Sequence, residues 1–357
     1  MKCLEKMVGT LYQPELVKKL TDLYTFKGKD FYYEDVLKNY MPGIIEETIE
    51  KDALYSAIIL KLNVTDSRKK AIIKKDSEPK TKDEMVLANL KKIFKIIQKK
   101  GTELELTDNE FLSLASMIFD GSKKILYKSE FETVKNNLLE EKVRISKRDK
   151  MQEELRLYRN AIIKNDLEPV SVITAMYVDL INMEYFSEEN DFISLVILYA
   201  LLFSQRFNVF KHQSFFELYY NQYKDFKINE ASASMNWETG FANTTLLNKA
   251  IIDLMLEGYE KTENKVSDYA LDKKLRKIDN VEAVIMKLPT VFTRKDIKDS
   301  CPRLSDSTIN RALEDLKSQN KIRPNGTGRS ATWMKIVDNE AFQVNGKQIN
   351  IFDIIDE

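Results

Sequence analysis

Histidine is nearly missing from this chain: His212 is the only one in 357 residues. A reaction that needs an imidazole must use that residue or do without. Its neighbours are Phe210-Lys211 and Gln213-Ser214, with no carboxylate beside it, so it reads as a solvated or hydrogen-bonded helix residue. Cysteine is almost as scarce. Cys3 and Cys301 alone exclude a disulfide framework and a zinc site built on thiolates. No apolar run reaches ~18 residues, so no membrane span is expected. The opening Met1-Lys2-Cys3-Leu4-Glu5-Lys6 carries no signal-peptide core, and a cytoplasmic protein is the expectation. An excess of one charge is also lacking: 56 Lys and Arg balance 56 Asp and Glu. Attraction of a partner by a whole-protein field is thereby excluded, and any charged patch must be local.

What the chain does have is helical periodicity. At 43% hydrophobic and 31% charged it can bury a core while keeping its helices solvated. Its length suits two or three domains of ~100–200 residues. Strand signals are rare before about residue 290. Residues 30–72 read as helix, broken at Met41-Pro42-Gly43. Thr81 with Glu84, and Thr107 with Glu110, form capping boxes that open two more helices. The first of these carries Val86, Leu87, Leu90, Ile93, Phe94 and Ile97 at helical spacing. Residues 142–163 read as a long charged helix, and Pro169 opens the next at a position where its missing N–H costs nothing. Residues 193–203 are apolar on every side, the mark of a central buried helix. Helices are expected at about 214–227 and 244–259, then a charged linker or connecting helix at 261–277.

Beyond residue 278 the pattern changes. Residues 281–288 form a short helix, and Phe292-Thr293 an extended step whose Thr293 caps a helix at 294–300. Cys301-Pro302-Arg303-Leu304 turns the chain. Ser305 then caps a helix at 306–320, striped by Ile309, Ala312, Leu313 and Leu316. Ile322-Arg323 leads into a turn at 324–329, and 331–336 is the returning strand. Helix, helix, recognition helix and β-wing is the winged helix-turn-helix layout. Residues 273–335 hold 15 basic and 7 acidic residues, a local excess of eight. The candidate DNA-binding residues are Arg303 on the turn, Ser307, Thr308, Asn310, Arg311 and Lys317 on the recognition helix, and Arg323 and Arg329 at the wing. Glu314 and Asp315 on the same helix weigh the other way, toward a protein-docking or structural role. The tail has an Asn345-Gly346 hairpin signal ahead of Ile351-Phe352-Asp353-Ile354-Ile355, which packs on its own domain or docks on a neighbour.

The middle of the chain resembles a known family. Glu168-Pro169-Val170, a helix to Leu180, then 184–195 (Glu184-Tyr185-Phe186-Ser187-Glu188-Glu189-Asn190-Asp191-Phe192-Ile193-Ser194-Leu195) and the buried helix look like the centre of a Fic domain. The signature of that all-α family is HPFx[DE]GNGRxxR. Phe186, Glu188 and Asn190 match it. Glu184 stands at the general-base histidine, Glu189 and Asp191 at the phosphate-cradling glycines, and Phe192 and Leu195 at the two arginines. Upstream, the stretch around Tyr55 resembles the family's inhibitory helix, with Ser56, Ile59 and Leu60 on its motif positions and Ile59 at the glutamate. A C-terminal winged helix is familiar in bacterial members of the family.

The resemblance implies transfer of AMP from ATP with Mg²⁺ to a protein hydroxyl, and each family residue has a task in it. Here the base, the glycines and both arginines are replaced. The carboxylates of Glu189 and Asp191 would repel a triphosphate. A carboxylate at 184 is a weak base unless burial raises its pKa of ~4.3. The resemblance therefore implies a mainly α protein: a helical lead (1–39), a Fic-like bundle (40–260), a linker (261–277), a winged helix with a small β-wing (278–337) and a hairpin or tail (338–357). The expected function is a catalytically inactive binding or regulatory module with no cofactor, its candidate partners DNA, another protein or a second copy of itself. The alternative is a divergent Fic-type transferase using ATP with Mg²⁺. On the first reading, 184–191 is an acidic solvated loop, Phe186 an aromatic plug and Asn190 a helix cap. Ile59 and Leu195 are then expected to be buried within ~4.5 Å of each other or of one shared neighbour.

Overall fold

The capping residues do locally what their spacing asks. Thr81 Oγ1 accepts the Glu84 N–H at 3.2 Å, and Thr107 Oγ1 accepts the Glu110 N–H at 3.1 Å. Thr293 and Asp296 close a complete capping box, and Ser305 Oγ accepts from the Thr308 N–H. Around such starts a computed structural model of the chain places a mainly helical protein with a few short strands. It describes residues 3–7, 12–136, 139–164, 166–274, 277–302, 304–326 and 332–336, with two short strands at 343–344 and 347–348. The chain divides into two units, Met1–Val266 and Ser267–Glu357.

The first unit opens with a 3₁₀ turn (Leu4–Lys6). Its helices are α1 (Pro14–Gly28), α2 (Asp30–Leu37), α3 (Met41–Ile59), α4 (Asp66–Lys75), α5 (Lys82–Lys100) and α6 (Asp108–Ile118). A hairpin of β1 (Ser129–Asn136) and β2 (Leu139–Ser146) follows. Then come α7 (Lys147–Lys164), α8 (Pro169–Met183), α9 (Asn190–Ser204), α10 (Val209–His212), α11 (Phe215–Asn221), α12 (Tyr223–Ser234) and the 30-residue α13 (Thr245–Lys274). The hairpin differs from the sequence expectation. Residues 142–146 belong to β2, paired antiparallel from Ser129↔Ser146 to Asn136↔Leu139, and the charged helix begins only at Lys147. The stretch 214–227 is likewise two helices, divided at Gln222.

α9 is the centre of this unit. Every residue from Phe192 to Phe203 is buried, as its all-round apolar sequence requires. Tyr199 meets the rings of Phe94, Phe203, Phe210, Phe215 and Phe216 at 5.4–5.9 Å. Such offset and edge-on pairs add to the burial of the rings themselves. His212 departs from its expectation. It ends α10 in the interior, 2% exposed, and neither ring nitrogen has a hydrogen-bond partner. Burial, then Lys211 and Lys265, lower its pKa to about 4, so it is a neutral core residue. At the edge of the unit α1 and α13 run parallel. Glu15–Lys249 (2.5 Å), Lys19–Asp253 (2.5 Å) and Lys29–Glu263 (2.6 Å) tie them at a constant offset, and Phe26 stacks on Tyr259.

The second unit holds α14 (Lys277–Lys287), β3 (Val291–Phe292), α15 (Arg294–Ser300), α16 (Asp306–Ser318), β4 (Ile322–Asn325) and β5 (Thr332–Lys335). The strands form one antiparallel sheet in the order β3-β5-β4, with Trp333 opposite both Phe292 and Pro324. Val281, Ile285, Phe292, Ile297, Ile309, Ala312, Leu313, Leu316, Ile322 and Trp333 make its core. In the tail, β6 (Gln343–Val344) and β7 (Lys347–Gln348) pair antiparallel; the Asn345-Gly346 turn and residues 349–357 lie outside the described residues. Among the described residues no helix is long and apolar enough to cross a membrane.

Candidate functional site

The loop 184–189 joins two buried helices. Glu168 starts α8 by accepting the N–H groups of Val170 and Ser171 with its carboxylate. α8 ends at Glu184 and α9 is entered through Glu189, both in left-handed backbone at φ 47° and 55°. That conformation costs a non-glycine residue roughly 1–2 kcal/mol. Asn190 holds the loop against it. The Asn190 side chain accepts the Phe186 N–H at 2.8 Å and donates to the Phe186 carbonyl at 2.6 Å, closing the loop on itself. Asn190 is therefore a clamp within the loop, not the expected helix cap, and it already lies inside α9. Phe186 does plug the interior: it is 1% exposed and stacks on Tyr127 at 5.3 Å.

Replacing the clamp, Asn190→Ala, removes both bonds and leaves a half-buried N–H and C=O unpaired. A loss of about 1–2 kcal/mol is expected in denaturant unfolding of the first unit. Asn190→Asp, which keeps the acceptor only, should fall between. An unchanged midpoint in the alanine variant would show that the clamp contributes nothing.

A segment without a motif of its own lies beside the loop. Tyr127 pairs with Phe186 as an isolated antiparallel bridge. The Lys128 N–H donates to the Tyr185 carbonyl, and the Ser187 N–H to the Leu126 carbonyl, both at 2.8 Å. The same segment brings two lysines. Lys128 Nζ sits 2.5 Å from Glu184, and this hydrogen bond holds the Glu184 carboxyl below the usual range. Lys123 pairs with Glu189, which raises the lysine's pKa, and stands 3.6 Å from Glu188. Lys227 approaches Asp191 at 3.8 Å. Glu184, Glu188 and Asp191 are exposed.

Phe192 and Leu195 face inward. Phe192 packs against Phe119 at 6.5 Å and Phe216 at 6.0 Å, and Leu195 is buried. Ile59 does not match its expectation. It is the last residue of α3 and only half-buried, because α3 turns its buried face to α5 and α11. Ser56 is fully buried with an unpartnered hydroxyl, and Leu60 is half-buried. Clefts of about 570, 600 and 360 Å³ open on the unit; none of the three is lined by a residue of 184–195, and the first runs past Lys123 and Leu126 beside the loop. Among the described residues no group of three or more His, Cys, Asp or Glu is placed to hold a metal ion.

On α16, Ser307, Arg311, Glu314 and Lys317 are exposed, and the i, i+4, i+7 spacing sets the first three on one face. Thr308 and Asn310 are half-buried, and the hydroxyls of Ser307 and Thr308 bond to Ser305 at the helix start. Arg323 is exposed on β4, its guanidinium against the Met334 sulfur. Arg303 and Arg329 lie outside the described residues. Nothing in sequence periodicity points to Lys123, Tyr127 or Lys128.

No family model matches the chain. No curated protein sequence matches it either. Among solved structures, a Fic domain containing signaling protein from Bacteroides thetaiotaomicron is similar to it at 13% identity and a TM-score of 0.48, over 69% of this chain and 97% of that one.

Proposed function

We propose that this chain is a Fic-like protein without AMP-transfer activity, acting as a binding or regulatory module. In this reading its second unit is a winged helix that docks on DNA. The observation that carries the first half is the loop 184–195. Its backbone keeps what the motif needs, with left-handed geometry at Glu189, where the family has glycine, and an asparagine clamp at 190. Its side chains do not fit a triphosphate. Carboxylates occupy the cradle, Glu189 closed by Lys123 and Asp191 approached by Lys227. The arginine positions are core residues. Glu184, with its pKa lowered by Lys128, is a poorer base than a free carboxylate. The second half is supported by the helix order and β3-β5-β4 sheet of the second unit, by the local excess of basic residues, and by the exposure of Arg311, Lys317 and Arg323.

Titration of the full chain tests both halves. ATP with Mg²⁺ is expected to give no saturable binding up to millimolar concentration. Duplex DNA is expected to bind with an affinity that falls as salt rises. Arg311→Ala with Lys317→Ala should flatten that dependence, by about 0.9 in slope for each phosphate that is no longer neutralised. Saturable ATP binding, or label transfer from ATP to protein, would restore the divergent-transferase reading, with Glu188 as its Mg²⁺ ligand. DNA binding untouched by the double variant would move the interface off α16, and no DNA binding at all would leave α16 to a protein partner.

A further inference from the structure

Residues 3–7 are docked into the body of the first unit, and their anchor lies on the helix that leads into the candidate loop. Cys3, Leu4 and Met7 are buried. The anchor is Asp179, fully buried on α8, which accepts the Cys3 N–H at 3.1 and 3.2 Å, the Leu4 N–H at 3.2 Å and the Trp237 indole N–H at 2.6 Å. At the rim, Lys6 Nζ donates to the Gly240 carbonyl at 2.7 Å and lies 4.7 Å from the centre of the Phe241 ring. The line of contacts continues inward. Glu154, fully buried on α7, feels the charge of Asp179 and accepts the Tyr185 hydroxyl at 3.3 Å. Burial, then the Asp179 carboxylate, push the Glu154 carboxyl up. Tyr185, 1% exposed, is the second residue of the loop, and its carbonyl takes the Lys128 N–H.

We propose that residues 3–7 are a strap whose docking on Asp179 sets the geometry of the loop 184–189 through Glu154 and Tyr185. The physical link is a carboxylate that loses donors. Lifting the strap strips the Cys3 and Leu4 N–H groups from Asp179, and a buried carboxylate that gives up hydrogen bonds is costly. Water must enter or the carboxyl pair must move, and the Tyr185 hydroxyl, bonded to Glu154, moves with it. The strap side chains are buried, but the donors are the successive main-chain N–H groups that open a helical turn. The first turn of a helix of another protein, with apolar side chains, would therefore compete for the same carboxylate. The strap then acts as a built-in occupant that couples loop order to its own release.

Amide hydrogen exchange on the full chain decides this. In Leu4→Glu, which cannot bury its side chain in the groove, exchange at 3–7 should rise, and exchange at 184–189 should rise with it by at least tenfold, while α5 keeps its wild-type rates. Adding Tyr185→Phe should cut the link, so that freeing the strap has little further effect on the loop. A freed strap beside an unchanged loop overturns the proposal. Should Leu4→Glu also raise exchange across α5, the milder pair Leu4→Ala with Lys6→Ala decides in the same way. A strap that stays protected in that pair overturns the proposal too, because the segment is then ordinary core.

Discussion

Placing arginines at the two proposed motif positions, Phe192→Arg with Leu195→Arg, is expected to destabilise the first unit by at least ~3–5 kcal/mol rather than create nucleotide binding. The cost has two sources. Phe192 gives up its packing against Phe119 and Phe216, and removing a buried phenylalanine typically costs ~3–5 kcal/mol by itself. Two guanidinium groups are then placed at the start of α9, where the helix is buried from residue 192 onward. A buried charge without its partner costs ~3–5 kcal/mol more. Exposed Asp191, one turn before position 195, can draw out one guanidinium but not two. The measurement is denaturant unfolding in a Trp333→Phe background, where Trp237 becomes the only tryptophan and reports on the first unit. A variant that folds with wild-type stability and binds ATP with Mg²⁺ would mean that a usable cleft lies behind these side chains.

Neutralising Asp52, by Asp52→Asn, is expected to stabilise the same unit by about 2–3 kcal/mol more at pH 8 than at pH 5. Asp52 is fully buried on α3. Its Oδ1 accepts from the Ser214 hydroxyl at 2.5 Å and the Phe216 N–H at 3.1 Å, while Oδ2 has no partner. Burial pushes its carboxyl up to about 7 against the pull of those donors. Between about pH 4 and 7 the folded chain therefore keeps a proton that the unfolded chain has lost. Stability falls as pH rises through that window and stays low above it. His212 acts in the opposite sense. With its pKa lowered to about 4, it contributes fully above about 6.5 and loses that contribution as pH falls toward 4. The two offset each other between about pH 4 and 6.5, so comparing wild type with Asp52→Asn at pH 5 and at pH 8 isolates Asp52. Any fixed cost of the new amide cancels in that comparison. An equal effect of Asp52→Asn at the two pH values would mean that the carboxylate ionises normally, with water reaching Oδ2.

Sequence is informative here where a few neighbouring residues decide the outcome. Thr81, Thr107, Thr293 and Ser305 cap as expected because a cap needs only an N–H three residues on. The buried helix at 193–203 is readable because apolarity on all faces has one stable solution in a helical protein. The hairpin of β1 and β2 is not, although Val143 and Ile145 stand two apart, at strand spacing; the dense charge around them reads as a solvated helix face. His212 misleads because its burial depends on α3 and α13, which lie far away in sequence, while its immediate neighbours are polar. In the loop, Phe186 is buried as expected, while Asn190 clamps the loop instead of capping the helix. The lysines that close it come from residues 123 and 128, some 60 positions upstream, and no spacing rule reaches that far.

The parallel pairing of α1 with α13 has a mechanical consequence. The pairs Glu15–Lys249, Lys19–Asp253 and Lys29–Glu263 spread along some 20 Å of helix at one fixed offset. In a parallel pair, the start of one helix and the end of the other lie at opposite ends of the seam. A pull applied at residue 14 and at residue 266 therefore loads the seam in shear, and all three ion pairs with the Phe26–Tyr259 stack must slip together. An antiparallel pair pulled in the same way would unzip, one ion pair at a time. Under tension the first unit should resist as a block and then give way in a single step, at a force that falls as added salt screens the exposed carboxylates.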